Sequence, residues 1–451
     1  MTDRTDLDPA GLDPAGLDRA DVDPAARSDA DAPARGTASA AAALDAADPL
    51  AAHTSAFVRD GDVIAYLDGN SLGRPLAALP ERYGAFIERD WGQRLIRAWD
   101  EQWMERPFAL GDRLGRLVGA AAGQAFIGDS TTVLLYKLVR AAVDHQVAQD
   151  PERTEIVIDD DNFPTDRFVV EGVAAERGLT VRWIEADPAA GVALEQVREA
   201  VGERTALVVL SHVAYRSGFV ADVPAITAAV HEAGALVLWD LCHSTGVIPT
   251  ELDAWGADLA VGCTYKYLNG GPGSPAFGYV AERLQGELAQ PIQGWMGAAD
   301  VFSMERHYRA APDLRRFLSG TPPVLATVAL EAMVELIEHV GIPAIHEKSI
   351  ALTGFAEAAL AEHVLPLEVG GRRPVLASPP AGPHRGSHLT VTHPSFREVN
   401  AALWRQGVIG DFRAPDGIRI GLSPLSTTFA EVEAGIAALG RQLARSGRPA
   451  W

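Results

Sequence analysis

The chain has 451 residues, of which 47% are hydrophobic and 22% are charged, and its formal net charge is −21. This length allows two or three domains with large apolar cores. The negative charge argues against nucleic acid or an anionic membrane as a partner, because both bind clustered Lys and Arg side chains that this sequence lacks. No apolar run reaches the roughly 18 residues of a membrane span, and the N-terminus lacks the order of a signal peptide. We therefore expect a soluble, cytoplasmic metabolic enzyme.

The first 48 residues differ in composition from the rest of the chain. They repeat a short Asp-Pro-Ala pattern, contain no aromatic residue, and carry 11 Asp against 4 Arg, about a third of the net charge. Such a segment buries too little apolar surface to offset the entropy lost on ordering. We expect a disordered acidic tail over residues 1–48, with solubility favoured over docking as its role.

From about Leu50 the sequence becomes typical of globular domains. Between Thr131 and Val280, short β-branched or Leu-rich runs alternate with helical stretches, as a mostly parallel sheet flanked by helices requires. The predicted strands cover residues 155–159, 180–185, 206–211, 235–240 and 258–262, and the predicted helices cover 132–149 and 223–234. This block indicates an α/β fold with a large domain over residues 119–321.

The C-terminal part indicates a smaller α/β domain over residues 322–451. A long helical run leads into predicted strands near 388–392 and 417–422, and a closing helix extends to Leu443. Residues 49–118 are expected to join this smaller domain and to contribute to the active site.

Cysteine usage excludes two kinds of stabilising site. Only Cys242 and Cys263 occur, and neither belongs to a CxxC or His-bearing pattern. A disulfide framework is therefore unlikely for this chain, and no metal site is expected. Both cysteines are predicted to pack as small apolar residues.

Lysine is almost absent, with only Lys137, Lys266 and Lys348 set against 36 arginines. A position that needed only positive charge would carry Arg here. A desolvated lysine can lose its proton and attack a carbonyl, which arginine cannot do. Lys266 lies in the glycine-rich segment TYKYLNGGPGSP after a predicted strand, so it is the candidate imine-forming nucleophile. The alternative is an ordinary surface lysine.

Several polar residues follow the predicted parallel strands, where ligands bind in open α/β sheets. They are Asp166, Ser211, Asp240, Tyr265 and Lys266, and the aromatic Phe163 lies beside them in the sequence. A lysine and a carboxylate at neighbouring strand ends suit pyridoxal 5′-phosphate, which needs an imine-forming lysine, an acid beside its pyridine nitrogen, and hydroxyls or a helix N-terminus for its phosphate.

Each requirement has a candidate. Asp240 would keep the pyridine nitrogen protonated, Phe163 would stack on the ring, and Tyr265 offers a phenol beside the lysine. Ser130, Thr131 and Thr132 open a predicted helix and would bind the phosphate. The ordinary alternatives are a turn-capping Asp and a helix N-cap.

The segment from Trp239 to Val280 closely resembles the cofactor segment of the kynureninase family. Three further segments resemble the same family: YLDGNSLGRPL from Tyr66, DDDNFPTDRF from Asp159, and GVIGDFRAPDGIRIGLSPL from Gly407. The resemblance covers nearly everything after about Leu50. It implies a homodimeric enzyme of the aspartate aminotransferase fold that uses pyridoxal 5′-phosphate to hydrolyse L-kynurenine to anthranilate and L-alanine.

The resemblance also implies roles for individual residues. Lys266 would bind the cofactor, Asp240 its pyridinium, and Arg419 the substrate carboxylate, whereas Tyr265 is a candidate for proton transfer. Asn70 and Ser71 would lie in the substrate site. The other implied cofactor contacts are Thr131, Thr132, Phe163, Asp166, Ser211, His243 and, reached across the dimer, Trp295 and Thr321.

Three residues depart from the usual family pattern close to the predicted site: Leu134, Ala298 and Ser426. The cofactor-binding residues are unchanged, but these departures leave the preference for the aryl group of the substrate undecided. A substrate such as 3-hydroxykynurenine or a ring-substituted kynurenine is therefore an alternative to L-kynurenine.

Other functions on the same fold are an aminotransferase, a cysteine desulfurase and a regulator without catalysis. A desulfurase needs a reactive cysteine on a loop, but both cysteines here fall in the strand region. A regulator of this kind usually carries a DNA-binding domain, and the acidic tail has the wrong charge for that task.

Overall fold

The computed structural model describes residues 36–59 and 61–447, and a seven-stranded sheet forms its centre. The strands, in chain order, are β1 (Ala65–Tyr66), β2 (Ala125–Gly128), β3 (Glu155–Asp159), β4 (Thr180–Ile184), β5 (Thr205–Ser211), β6 (Leu236–Asp240), β7 (Leu259–Gly262), β8 (Ala276–Val280), β9 (Val375–Leu376), β10 (His388–Thr392), β11 (Val408–Ile409), β12 (Asp411–Arg413) and β13 (Gly417–Gly421).

Helices cover both faces of this sheet and one face of a smaller one. They are α1 (Thr37–Ala47), α2 (Leu79–Ala85), α3 (Arg106–Leu117), α4 (Thr131–Gln149), α5 (Pro164–Arg177), α6 (Leu194–Ala200), α7 (Val223–Glu232), α8 (Glu282–Gln285), α9 (Thr327–Val340), α10 (Ile342–His363), α11 (Phe396–Trp404) and α12 (Phe429–Ser446). Two π-helical segments, Phe86–Gln93 and Trp99–Trp103, lie between α2 and α3.

The large sheet has the strand order β2-β8-β7-β6-β5-β3-β4, and β8 alone runs antiparallel to both of its neighbours. Apart from the edge strand β4, which is largely exposed, its strands are buried on both faces, which explains why they read as continuous apolar runs. Successive residues still point to opposite faces. In β5, Val208 and Leu210 pack into one core cluster, whereas Leu207 and Val209 pack into the other.

A second core lies between a four-stranded antiparallel sheet and the C-terminal helices. The sheet has the order β12-β13-β10-β9, and β1 pairs in parallel with β11 beside it. Leu389 of β10, Ile420 of β13 and Ile436 of α12 are all buried in this core. The predicted strands 388–392 and 417–422 and the closing helix are therefore present.

The predicted strands of the large sheet match the observed ones to within one residue at each end, and β3 matches at both ends. The smaller domain differs from its predicted extent. Leu330 and Met333 of α9 pack into the core of the large sheet, so this helix belongs there although the prediction assigned it to the smaller domain. Residues 49–118 are divided, because Leu114 of α3 packs into the large core and Leu67 packs into the smaller one.

The prediction of a disordered tail over residues 1–48 is wrong for the C-terminal part of that segment. Residues 1–35 lie outside the described part of the chain, but α1 is an ordered helix that packs on α12. The Asp45 carboxylate accepts hydrogen bonds from the backbone N–H groups of Phe429 (2.8 Å) and Ala430 (2.9 Å). Asp48 forms a buried ion pair with Lys348 at 2.7 Å. Alanine favours helix formation, and these polar contacts supply the anchoring that the missing aromatic residues do not.

Within the described ranges, no helix is both long enough and apolar enough to cross a bilayer. Cys242 and Cys263 are both free and buried, as predicted, and they lie on adjacent strand ends with the Cys263 backbone N–H 3.2 Å from Cys242 Sγ.

Candidate active site

The candidate site lies at the carboxyl edge of the large sheet. Ser211 and Asp240 face each other at the ends of β5 and β6, and Asp240 pairs with Val261 of β7. The chain then turns from β7 into the lysine segment. The predicted convergence of these strand ends is therefore present in the structure.

Lys266 is held by a tight loop between β7 and β8. The backbone N–H of Gly270 donates to the Thr264 carbonyl at 2.8 Å, and the side chains of Thr264 and Ser274 are hydrogen-bonded at 2.5 Å. A Cβ atom on Gly270 would come within 2.3 Å of Ser274 Oγ, so this approach requires glycine. The loop leaves Lys266 only 9% exposed.

Aromatic rings line one side of the lysine. Its Nζ atom lies 5.8 Å from the ring centroid of Phe163, and the Phe163 ring packs edge-on against Tyr215 at 5.4 Å. Phe163 is thus close enough to Lys266 to contact a planar group bound there. Tyr215, which follows β5, was not among the predicted site residues.

Two buried carboxyl groups, Asp166 and Asp240, lie next to each other near Lys266. Burial raises the pKa of Asp166 well above its ordinary value, and the adjacent Asp240 carboxylate raises it further, whereas Lys266 opposes this. Asp240 Oδ1 accepts a hydrogen bond from the Cys242 backbone N–H at 2.7 Å. Two like charges at this separation disfavour each other, so Asp166 binds its proton more tightly than an ordinary aspartate does.

Ser211 is engaged by Asn162, a buried residue that the sequence reasoning missed. Ser211 Oγ donates to Asn162 Oδ1 at 3.0 Å, and Asn162 Nδ2 donates to Asp159 Oδ2 at 2.9 Å. Burial raises the pKa of Asp159 to about 7. Asn162 directly precedes Phe163, so its position immediately before the FPTD motif was the available signal.

A cleft of about 440 Å³ opens beside the start of α4. Its walls are residues 128–130, Tyr265, residues 273–275 and residues 318–323. Thr131 Oγ1 is buried at the helix start and has no hydrogen-bond partner among the described residues, whereas Thr132 is exposed. The unpaired N–H groups and positive dipole of a helix N-terminus favour an anion such as phosphate.

The two residues expected across a dimer lie apart in this chain. Thr321 lines the 440 Å³ cleft together with Tyr265. Trp295 lines a separate cleft with Ala298 and Met304 and is 45% exposed. The structure therefore brings Thr321 to the site within one chain but leaves Trp295 outside it.

Arg419 of β13 is fully buried and firmly held at the opposite side of the site. Its Nη1 donates to the Tyr215 carbonyl at 2.7 Å, and its Nη2 donates to Ser71 Oγ at 2.7 Å and lies 2.7 Å from Asp411 Oδ2. Its Nε atom has no partner among the described residues. Asp411, another residue missed from the sequence, neutralises the guanidinium in this state. The group is thus oriented for a carboxylate that can replace or join Asp411.

Further polar groups around Arg419 and Lys266 also lack partners. Both side-chain amide atoms of the buried Asn70 are unpaired, as is His243 Nε2, in the part of the chain that the structure describes. Burial lowers the pKa of His243, and the nearby Lys266 and Arg419 cations lower it further, so the ring is neutral. Burial and the Asp411 carboxylate raise the pKa of Asp68 to about 6.

Buried polar atoms without partners are costly in a folded protein and point to a ligand that satisfies them. Several of them belong to residues of this site, namely Asn70, Asp166, His243 and Arg419. The site offers an amine nucleophile at Lys266, a carboxyl pair at Asp240 that suits a cationic ring nitrogen, a helix N-terminus at Thr131 that suits a phosphate, and an arginine at Arg419 that suits a carboxylate. The donor set fits an imine-forming aromatic phosphate with an amino acid bound beside it.

Comparison with known proteins agrees with this chemistry. Family models match at residues 128–370 (aminotransferase class-V) and 345–439 (kynureninase C-terminal domain). The chain is 41% identical over 411 residues to the kynureninase of Pseudomonas fluorescens, covering 89% of this chain and 94% of that protein. It is 42% identical over 395 residues to the kynureninase of Burkholderia pseudomallei strain K96243, covering 87% and 92%. The chain belongs to the kynureninase family.

Solved structures similar to this kynureninase-family chain share its fold. A cysteine desulfurase from Thermococcus onnurineus NA1 has a TM-score of 0.73 at 16% identity, covering 85% of this chain and 95% of that chain. The cystine C-S lyase C-DES, in complex with cysteine persulfide, has a TM-score of 0.72 at 20% identity, covering 84% and 98%. The predicted α/β fold of the aspartate aminotransferase type is thereby confirmed.

The three departures from the kynureninase pattern occupy different surroundings. Leu134 is completely buried in the core beneath the sheet, so it packs and does not line the site. Ser426 is buried, and its carbonyl accepts a hydrogen bond from Arg59. Only Ala298 lies at a cleft, the one that Trp295 lines. Leu134 still lies close to the site, because its backbone N–H donates to the carbonyl of Ser130, a residue of the 440 Å³ cleft, at 3.0 Å, but its side chain packs into the core.

The raised pKa of Asp166 predicts a pH effect on stability. Because the pKa of Asp166 is raised by folding, wild-type stability falls as pH rises above the ordinary range of Asp, near 4. Asp166→Asn retains a hydrogen-bond donor without this titration. We expect the variant to gain stability relative to wild type between about pH 5 and pH 8, measured by urea unfolding at each pH. If the free energies of unfolding of the two proteins change with pH in parallel, the assignment is contradicted. Asp100→Asn, at an exposed aspartate, serves as the control.

Proposed function

We propose that this chain is a pyridoxal 5′-phosphate-dependent kynureninase that hydrolyses L-kynurenine, or a ring-substituted kynurenine, to the aryl amino acid and L-alanine. The family relatives at 41% and 42% identity are named kynureninase and match most of the chain. The observation that carries the proposal is the meeting of Lys266, the Asp166–Asp240 pair and Arg419 in one buried site.

The cofactor would be held at three points. Lys266 would bind it covalently, Asp240 would face its ring nitrogen, and Thr131 with the start of α4 would bind its phosphate. When bound, this cofactor withdraws electrons from the substrate carbon that carries the amino group. Asp166 lies beside Asp240 and has a raised pKa, so it would hold and orient the Asp240 carboxyl group that faces the ring nitrogen.

The substrate would be oriented by Arg419. The Tyr215 carbonyl and Ser71 Oγ fix the plane of the guanidinium, each at 2.7 Å. A planar guanidinium held in this way binds a carboxylate through two parallel hydrogen bonds. The unpaired amide of Asn70 lies on the same side of the site and would bind another polar atom of the substrate.

Proton transfers would fall to Lys266 and Tyr265. The Lys266 amine, once displaced by the substrate amine, can move the proton of the substrate α-carbon. Burial raises the pKa of Tyr265, and the neighbouring cysteine thiols raise it further, so its phenol is protonated at neutral pH. Tyr265 is therefore suited to donate a proton to the carbon left by bond cleavage, and not to act as a base before substrate binds.

Turnover with defined substrates tests the proposed reaction. Purified protein with cofactor and L-kynurenine or 3-hydroxykynurenine should release the corresponding aryl acid, followed by fluorescence, with one alanine per aryl acid. Lys266→Ala should lose both turnover and the absorbance of the lysine-bound cofactor, because no other lysine lies in the site.

If Lys266→Ala retains turnover, the proposed reaction through Lys266 is contradicted. If wild-type protein binds cofactor but releases no aryl acid from either substrate, a substituted kynurenine or an aminotransferase reaction becomes the better reading. The class-V aminotransferase match keeps that second reaction open. A keto acid acceptor added to the same assay separates the two, since only an aminotransferase depends on it.

The substrate role of Arg419 predicts a specific kinetic effect. Arg419→Lys removes the planar fork but keeps the charge, so substrate binding should weaken more than the chemical step. We expect KM to rise by about 10-fold or more, with a smaller change in kcat. Arg106→Lys is the matched control, because Arg106 is paired with Glu331 at 2.6 Å on α9, outside the site. A fall in kcat at unchanged KM would contradict the role.

A homodimer is the proposed assembly. Several large apolar side chains are exposed, and they include Trp295 (45% exposed) and Met304 (73%) in one cleft and Ile96 (77%) between the two π-helical segments. Apolar side chains exposed together, as in this cleft, are typical of a protein interface. A second copy seated there would cover Trp295 and bring it toward a cleft.

Light scattering tests this assembly. We expect a mass of two chains for wild type, and a shift toward one chain for Met304→Glu because a buried carboxylate at the interface is costly. Phe168→Glu, at an exposed phenylalanine on α5, is the control and should leave the mass unchanged. A wild-type mass of one chain would contradict the proposal.

A further inference from the structure

All three lysines of this arginine-rich chain are buried. Lys137 is 1% exposed, Lys348 is 5% exposed and Lys266 is 9% exposed. The ammonium of lysine is a compact point charge, whereas the guanidinium of arginine is a larger planar fork. A chain with 36 arginines that keeps lysine only in buried positions uses it where a small cation must fit. Lys266 is accounted for by the proposed function, and Lys137 and Lys348 are not.

Lys137 joins two segments that are distant in the sequence. Its Nζ lies 2.7 Å from Asp129 Oδ2 and 2.6 Å from the Phe317 carbonyl oxygen. Asp129 directly precedes Ser130, the N-cap of α4, and Phe317 directly precedes residues 318–323. Both segments line the 440 Å³ cleft. The ammonium therefore connects the two segments that line this cleft, although Lys137 itself does not line it.

The Asp129 segment needs such a link. Asp129 has a φ of +47°, a left-handed conformation that residues other than glycine seldom adopt. It is fixed on one side by its carbonyl, which accepts a hydrogen bond from the Ala276 N–H at 3.0 Å, and on the other by Lys137. The next residue, Ser130, lines the cleft, and Thr131 follows it at the start of α4. Without the ammonium, the strained backbone would lose its side-chain anchor.

We propose that Lys137 is a positioning residue for the phosphate site of the cofactor, because its ammonium holds the Asp129 segment and the Phe317 segment at the spacing that forms this cleft. The inference rests on the proposed cofactor, but not on the identity of the substrate. Lys137 acts through the two segments and not through its charge. Its charge is already balanced by Asp129, and its known contacts are both to protein atoms.

The ordinary alternative is an ion pair that stabilises the core and does nothing for the cofactor. Lys348 provides a matched control for that alternative. It is also buried and paired with one aspartate, Asp48, at 2.7 Å, but it links α10 to the end of α1, away from the cleft. Removal of either ammonium should destabilise the fold, because each leaves an aspartate without its cationic partner, Asp48 being 3% exposed and Asp129 29% exposed.

Binding of two related probes separates the two roles. Lys137→Met and Lys348→Met, which preserve side-chain length, are titrated by absorbance with pyridoxal 5′-phosphate and with pyridoxal, which lacks the phosphate. For Lys137→Met we expect affinity for pyridoxal 5′-phosphate to fall about 10-fold or more, the effect of losing hydrogen bonds to a charged group, with little change for pyridoxal. For Lys348→Met we expect neither affinity to change.

Equal losses for both probes, or unchanged affinity for pyridoxal 5′-phosphate in folded Lys137→Met, would overturn the inference. If Lys137→Met does not fold, Asp129→Asn removes the same ion pair with less change in volume and should show the same selective loss. Since the readout is cofactor binding without substrate, a protein that fails to hydrolyse kynurenine still gives a clear result. If the wild-type protein binds neither probe, the proposed cofactor is wrong, and the role of Lys137 in binding it is refuted as well.

Discussion

The structure depends on a cluster of buried charges in which one lysine faces two adjacent carboxyl groups. Helices cover both faces of the large sheet, so the carboxyl ends of β5, β6 and β7 meet in a site with little access to water. Two ionised carboxylates side by side in such a place would repel each other strongly. Burial and the adjacent Asp240 raise the pKa of Asp166, and the nearby Lys266 cation opposes this rise. The same desolvation that makes the cluster costly gives each remaining charge a strong and specific effect.

The segment that follows β1 connects this cluster to the smaller sheet. The Gly73 N–H donates to the Tyr265 carbonyl at 2.9 Å, and Asn269 donates to the Arg74 carbonyl at 2.7 Å, so the segment is bound to the lysine loop. Two residues earlier, Ser71 accepts a hydrogen bond from Arg419 of β13. A shift of the smaller sheet therefore acts on both the arginine and the lysine loop. This explains why residues far apart in the sequence form one site.

The sequence predicted what local patterns determine. Apolar runs located the strands of the large sheet, and the rule for strand ends identified Asp240, Ser211 and Lys266. It could not predict contacts that depend on distant partners. Lys137 and Phe317 are 180 positions apart, and nothing in either segment alone reveals their hydrogen bond. Likewise, α1 has the composition of a flexible tail and is ordered through contacts with α12 and α10.

Preference for the aryl group is constrained by where the departures from the family pattern lie. Leu134 packs into the core of the large sheet, and the backbone carbonyl of the buried Ser426 accepts a hydrogen bond from Arg59, so neither residue lines the cleft that holds Trp295. Ala298 lies in the cleft with Trp295, whose ring is exposed in the single chain. An effect of Ala298 on the substrate ring therefore requires that this cleft become part of a site. In the proposed homodimer that happens when a second copy covers Trp295, so substrate preference would be a property of the pair of chains and not of one chain.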